Sequence, residues 1–224
     1  MVDACPNGFF VPDRHFFERP AREVAPALLN ARITTFFEPG PVTVRITEVE
    51  AYHGPGMDAV PDSGSHARMG PTARNATMFG PPGHMYVYLS YGIHSAANVV
   101  CSPTGTASGL LLRAGEVVDG ADIAQSRRPA ATTPRDLARG PGRLAQALGI
   151  TYPIHDGTDA LGGGMASIVL PVPGSEYAVH PDSIGTSPRT GVSGVAGTDA
   201  FPWRFYILGD RYVSPFRAGR SLNA

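Results

Sequence analysis

The sequence predicts one mixed α+β domain in which short helices flank a mostly antiparallel sheet. Three observations carry that expectation. The 224 residues fit a single domain with an ample core. Strand-like segments follow one another at hairpin spacing between Ile33 and Cys101. Three stretches of helical character, at 16–30, 116–127 and 141–148, interrupt them. An apolar content of 42% is ordinary for a globular chain.

Residues 1–15 read as a loosely ordered arm, 16–217 as the single domain and 218–224 as a tail. In 16–30 the stripe Val24, Leu28 and Leu29 suits burial, Pro20 suits a helix start, and Pro26 predicts that the regular helix begins late. Ile33–Phe37 and Val42–Tyr52 read as strands joined by the turn Glu38-Pro39-Gly40-Pro41. At period two, Val42, Val44, Ile46, Glu48, Glu50 and Tyr52 share one face of the second strand. Two carboxylates roughly 6.5–7 Å apart would then end an apolar face, where desolvation raises a carboxyl pKa toward the range of a general base. A strand running out into solvent gives the same pattern without chemistry.

The segment 54–65 is a loop rich in Gly, Pro, Asp and Ser, and 66–75 carries His66, Arg68, Arg74 and Asn75. Phe79-Gly80-Pro81-Pro82-Gly83 turns into a strand with Tyr86 and Tyr88 on one face and Met85, Val87 and Leu89 on the other. Tyr91-Gly92 reads as the hairpin tip, and Ala97–Cys101 as the return strand. A tyrosine at a tip is exposed, and exposed aromatics can wedge between stacked bases; tyrosines also simply favour strands. Leu110–Ala114 reads as a buried strand, so Arg113 needs a carboxylate partner, with Glu48 and Glu116 as candidates. Glu116–Arg127 reads as a helix and 127–139 as a mobile surface segment. Gly140-Pro141-Gly142 would open a helix that Gly149 closes, and its free amides beside Arg143 suit a phosphate. Ser167–Val172 and Pro202–Ile207 read as strands, the latter in the core.

The charge is segregated although the net value is −1. Residues 1–65 hold 5 arginines against 9 acids, 66–143 hold 8 against 4, and the remainder 5 against 6. The middle third is thus a candidate footprint for a phosphate backbone. All 18 basic residues are arginine. No apolar run is long enough to span a bilayer, and no signal pattern precedes the domain, so a cytoplasmic protein is expected. Cys5 and Cys101 form neither a disulfide framework nor a metal set, the 7 histidines are scattered, and no P-loop or dinucleotide fingerprint occurs. No metal or cofactor is expected.

Several ordered blocks resemble the alkyladenine (3-methyladenine) DNA glycosylase family. They are Glu48-Val49-Glu50-Ala51-Tyr52, Ser65-His66-Ala67, Arg74-Asn75, Met78–Gly83, Tyr86-Val87-Tyr88, Tyr91-Gly92, Asn98-Val99, Leu111–Ala114 and Gly140–Leu144. The resemblance runs from about Phe16 to Phe205 and departs from the family's pattern in three places. The loop before His66 is longer, Ala73 replaces a proline, and Arg143 stands where lysine is common.

The resemblance implies a curved, mostly antiparallel sheet. It also implies a monofunctional glycosylase that flips damaged purines out of duplex DNA and initiates base excision repair. Alkylated purines are the chief substrates, with deaminated and etheno-bridged ones as further candidates. Glu50 would activate the water and Arg113 would assist it. Tyr52, His66, Tyr88 and Asn98 would form the base pocket, and Tyr91 would fill the gap left in the duplex. Arg68, Arg74 and Arg143 would contact the DNA backbone, with Arg189 a further contact candidate. A monomer acting on double-stranded DNA, with no membrane partner, is expected. Lacking lysine, the chain has only its N-terminal amine to form a Schiff base, which favours hydrolysis without lyase activity. Two rivals remain: a non-catalytic module for damaged DNA or structured nucleic acid, and a glycoside hydrolase using Glu48 and Glu50.

Overall fold

The computed structural model describes residues 5–219 except 58 and 163; the first four residues of the expected arm and 220–224 of the expected tail lie outside them. The described residues form a nine-stranded antiparallel sheet with three α-helices, the predicted α+β class. In chain order the strands are β1 (Phe9–Phe10), β2 (Arg32–Thr35), β3 (Val42–His53), β4 (Met85–Ser90), β5 (His94–Cys101), β6 (Ser108–Asp119), β7 (Ala166–Pro171), β8 (Ile184–Ser187) and β9 (Arg204–Ile207). The helices are α1 (Ala21–Leu28), α2 (Ala121–Arg127) and α3 (Pro141–Leu148). The main path runs β1-β7-β2-β3-β6-β5-β4. Strand β9 takes over the edge of β3 at Glu48–Glu50, beyond the end of β2, and carries β8 outside it.

The N-terminal stretch is held where it meets the sheet: Phe9 and Phe10 pair with Pro171 and Leu170. Helix α1 starts directly after Pro20, earlier than expected, and contains Pro26. The proline removes one amide near the helix's end, and the helix stops two residues later. Val24, Leu28 and Leu29 are buried, as their spacing predicts.

Two readings of the middle third change. Glu116–Asp119 continue β6, because Arg45 and Val44 pair with Glu116 and Val117; helix α2 starts only after Gly120, whose φ of 71° ends the strand. The segment 127–139 is packed: Leu137 and Ala138 are buried in the core, and Arg139 Nε donates to the Val213 carbonyl at 2.8 Å. Helix α3 begins after Gly140 and ends at Gly149, whose φ of 76° is the left-handed cap that the sequence predicts. In 202–207 the core residue is Trp203, with Phe201 before it; of β9 itself only Arg204 is buried.

Candidate active site

Strand β3 supplies the acids, and its irregularity decides where they point. Ile46 pairs with Gly115 but Glu48 with Ala114, so Thr47 is an extra residue in β3. Glu48 pairs with Ala114 but Val49 with Leu112, so Arg113 is an extra residue in β6. Such bulges shift the alternation of faces. Val42, Val44 and Ile46 belong to the core before the shift, and Val49 and Ala51 after it. Glu48 and Glu50 therefore do not continue the apolar face. Both are nevertheless fully buried, because β9 and the chain around Thr190 and Ser214 cover them.

Glu48 is saturated. Its Oε1 accepts from Arg113 Nε at 2.8 Å, Arg204 Nε at 2.6 Å and Ser214 Oγ at 3.0 Å, and its Oε2 accepts from the Ser214 amide at 2.7 Å. Burial alone would raise its pKa, but Arg113, Arg204 and these donors outweigh it and hold the carboxyl below its ordinary range. Arg113 finds Glu48 as its partner, while Glu116 binds Arg45. With four donors its acceptor sites are filled, which removes Glu48 from the carboxylate pair that a glycoside hydrolase needs.

Glu50 has a different set of partners. Its Oε1 accepts the Thr190 amide at 2.6 Å, and its Oε2 accepts the Tyr52 hydroxyl at 2.8 Å and Arg113 Nη1 at 3.3 Å. A carboxylate offers about four acceptor sites, so the three recorded donors leave room for one more.

A cavity of about 910 Å³ is lined by Glu50's partners Tyr52, Arg113 and Thr190, though not by Glu50 itself. Its lining includes Tyr52, His66, Arg68, Arg74, Tyr88, Tyr91, Asn98 and Arg113, eight of the ten predicted site residues. Tyr86 and Tyr88 stack with centroids 5.5 Å apart. The His66 ring meets Tyr88 edge-on at 4.5 Å, and its Nδ1 lies 3.0 Å from the Tyr86 hydroxyl. Desolvation lowers the His66 pKa, with Arg74 and Arg68 adding to the effect, so the ring is a neutral imidazole at neutral pH. Burial, with Glu50 nearby, pushes the Tyr88 phenol up to about 12. Asn98 is anchored by donating Nδ2 to the Tyr86 carbonyl at 2.9 Å. Asn75 closes the arginine loop, accepting from the Thr72 amide and donating to the carbonyls of His66 and Gly70.

Tyr91 stands at the tip of the β4–β5 hairpin with φ 51°, followed by Gly92 at 71°, and is 90% exposed. Arg68 and Arg74 lie at the cavity. Arg143 lies outside the cavity lining and faces Asp136 at 3.5 Å. The start of α3 is nonetheless near the hairpin, since a Cβ on Gly142 would come within 3.0 Å of His94. Arg189 is fully buried and grips Asp62 with both Nη atoms, so it cannot reach a phosphate.

Sequence reasoning missed Thr190, the loop from Gly191 to Val195, and Arg217 on the cavity wall. It also missed the contributions of Ser214 and Arg204. A backbone amide leaves no trace in side-chain identity, and partners more than 100 residues away are invisible to local patterning. Only Arg189, read as a further DNA-contact candidate, signalled that this region mattered.

Comparisons with known proteins agree on one family. Residues 15–211 match the profile of the family described as methylpurine-DNA glycosylase (MPG). A relative from Streptomyces avermitilis is 49% identical over 92% of this chain and 91% of its own length. One from Leifsonia xyli is 49% identical over 92% of each chain, and one from Frankia casuarinae is 46% identical over 97% and 96%. All three carry the provisional name 3-methyladenine DNA glycosylase. With the match spanning almost the whole domain, the chain belongs to the methylpurine-DNA glycosylase family, DNA-repair hydrolases of the N-glycosidic bond.

Proposed function

We propose that this glycosylase is monofunctional, flips damaged purines out of duplex DNA and hydrolyses the N-glycosidic bond with a water activated by Glu50. The observation that carries the reading is a buried carboxylate, three-quarters satisfied by fixed donors, beside a tyrosine-walled cavity. Extrusion is needed because the glycosidic bond is inaccessible within the stack. Purines alkylated at N3 or N7 are cationic, which makes them good leaving groups. The faces of Tyr52 and Tyr88 attract such rings by roughly 0.5–2 kcal/mol. Such a base needs little further activation. Glu50 takes the proton of a water held at its remaining acceptor site and stabilises the oxocarbenium-like sugar. Arg113 braces the acid. Asn98 discriminates against normal purines by clash or by unmet hydrogen bonding. His66 walls the base, Tyr91 fills the gap in the duplex, and Arg68 and Arg74 hold phosphates, with Arg143 a weaker contact. Deaminated and etheno-bridged purines are further candidate substrates. With no lysine in the chain, hydrolysis ends at an abasic site without backbone cleavage.

The test is single-turnover release of base from a duplex containing one alkylated purine. Wild type should release the base and leave the strand unnicked. Glu50→Gln should lose at least about 100-fold in rate, the lower bound for a positioned general base, while still binding the duplex. Tight binding of damaged DNA with no release by either protein would establish a non-catalytic binding module instead.

A further inference from the structure

The buried ion pair Asp62–Arg189 packs against the ring of Tyr52. Neither residue belongs to the chemistry proposed above, yet both are fully enclosed. Arg189 Nη2 donates to Asp62 Oδ1 at 2.6 Å, and Nη1 to Asp62 Oδ2 at 2.8 Å. The same two nitrogens reach the Ala51 carbonyl at 3.0 Å and the Ala196 carbonyl at 3.1 Å. The guanidinium lies 4.4 Å from the centroid of the Tyr52 ring, with Trp203 at 5.1 Å. Asp62 in turn accepts the amides of His53 and Gly64.

One side chain thus joins three cavity walls. Asp62 belongs to the long loop before His66, Ala51 sits between Glu50 and Tyr52 on β3, and Ala196 belongs to the segment that follows Thr190. The neighbouring residue, Thr190, delivers its amide to Glu50. A planar fork with donors in fixed directions can hold all three at once; a lysine ammonium cannot.

We infer that Arg189 is a positioning residue for excision: it fixes the Tyr52 ring through its contact with that ring and, through Thr190, the orientation of the Glu50 carboxylate. The inference rests on the proposed reading of Glu50 and Tyr52. Misplacing a reacting group by about 1 Å can cost on the order of 100-fold in rate, so the effect should appear in the chemical step. DNA affinity is set mainly by phosphate contacts elsewhere.

The experiment compares the full-length wild type with Arg189→Lys. Three quantities are read: affinity for a duplex carrying a stable abasic analogue, the fluorescence of an ethenoadenine in a duplex on binding, and single-turnover release of an alkylated purine at saturating enzyme. In the variant, abasic-duplex affinity should stay within about twofold, because its contacts are to the backbone. The ethenoadenine signal of a seated base should weaken, and release should slow by about 100-fold. Unchanged release by a folded variant would overturn the inference. So would release and abasic-duplex affinity falling in parallel, which would mark general loosening of the fold. If Arg189→Lys does not fold, the double variant Asp62→Asn/Arg189→Gln removes both charges together and is judged by the same criteria. Wild type that releases no base would overturn the reading of Glu50, and this inference with it; wild type and variant releasing base equally would overturn this inference alone.

Discussion

At the scale of single residues, the site separates two adjacent acids by their donors. Among the described residues Glu48 meets four donors and holds the framework, whereas Glu50 meets three. The depressed pKa of Glu48 makes it a contributor to acid stability. An unfolded chain takes up its proton first, so the contribution is full above the ordinary carboxylate range, near 4.5, and disappears as pH falls through the lower folded value. Urea unfolding of wild type between about pH 5 and pH 3 should therefore lose stability more steeply than that of Glu48→Gln. His66 bears on substrate choice. Its imidazole is neutral at neutral pH, and among the described residues no carboxylic acid lines the cavity, so a neutral leaving base receives no ready proton. Single-turnover rates should then be faster for methylated than for deaminated purines. Equal rates would sink this account of the pocket.

At the scale of elements, the double bulge between β3 and β6 is the decisive device. It brings Arg113 out of the regular ladder opposite the acids and lets Val49 and Ala51 take up the core face. Gly115 makes it possible: a Cβ there would run into the Arg45 carbonyl and a Val44 methyl. Gly115→Ala should cost about 1–3 kcal/mol, as overpacking of a filled core does, and denaturant titration would show it. This element also marks the limit of what the sequence discloses. The turns around Gly40, Gly92 and Gly149, and the strands on either side of the first two, are local features and can be read directly. The bulge leaves Thr47 without a partner where β3 pairs with a strand more than 60 residues away, so period-two counting carries Glu48 and Glu50 onto the wrong face. The same nonlocality hides Glu116–Asp119, whose helical composition is overridden by pairing with β3. The side chains of the candidate pocket were legible from short motifs. Their partners Thr190, Asp62 and Ser214 were not, because each acts through a contact that only the folded chain creates.

At the scale of the whole molecule, charge segregation along the sequence only partly survives folding. Of the arginines between 66 and 143, Arg113 is buried, and Arg127, Arg128 and Arg139 brace carbonyls or a glutamine side chain. Arg68 and Arg74 remain at the cavity, joined there by Arg217. Arg143, half-exposed, lies outside that group. Duplex affinity should weaken with salt, and Arg68→Gln or Arg74→Gln should each reduce the log–log slope by about 1. An unchanged slope in either variant would remove that arginine from the phosphate contacts.

The ties around Glu48 and Glu50 also set a calendar for biosynthesis. Both acids are made within the first quarter of the chain, but their partners arrive at Arg113, Thr190, Arg204 and finally Ser214. A nascent chain that has not yet exposed Ser214 carries an unfinished acid cluster, whatever the state of its sheet. A chain interrupted before Ser214 therefore lacks two of the donors that hold Glu48 in place.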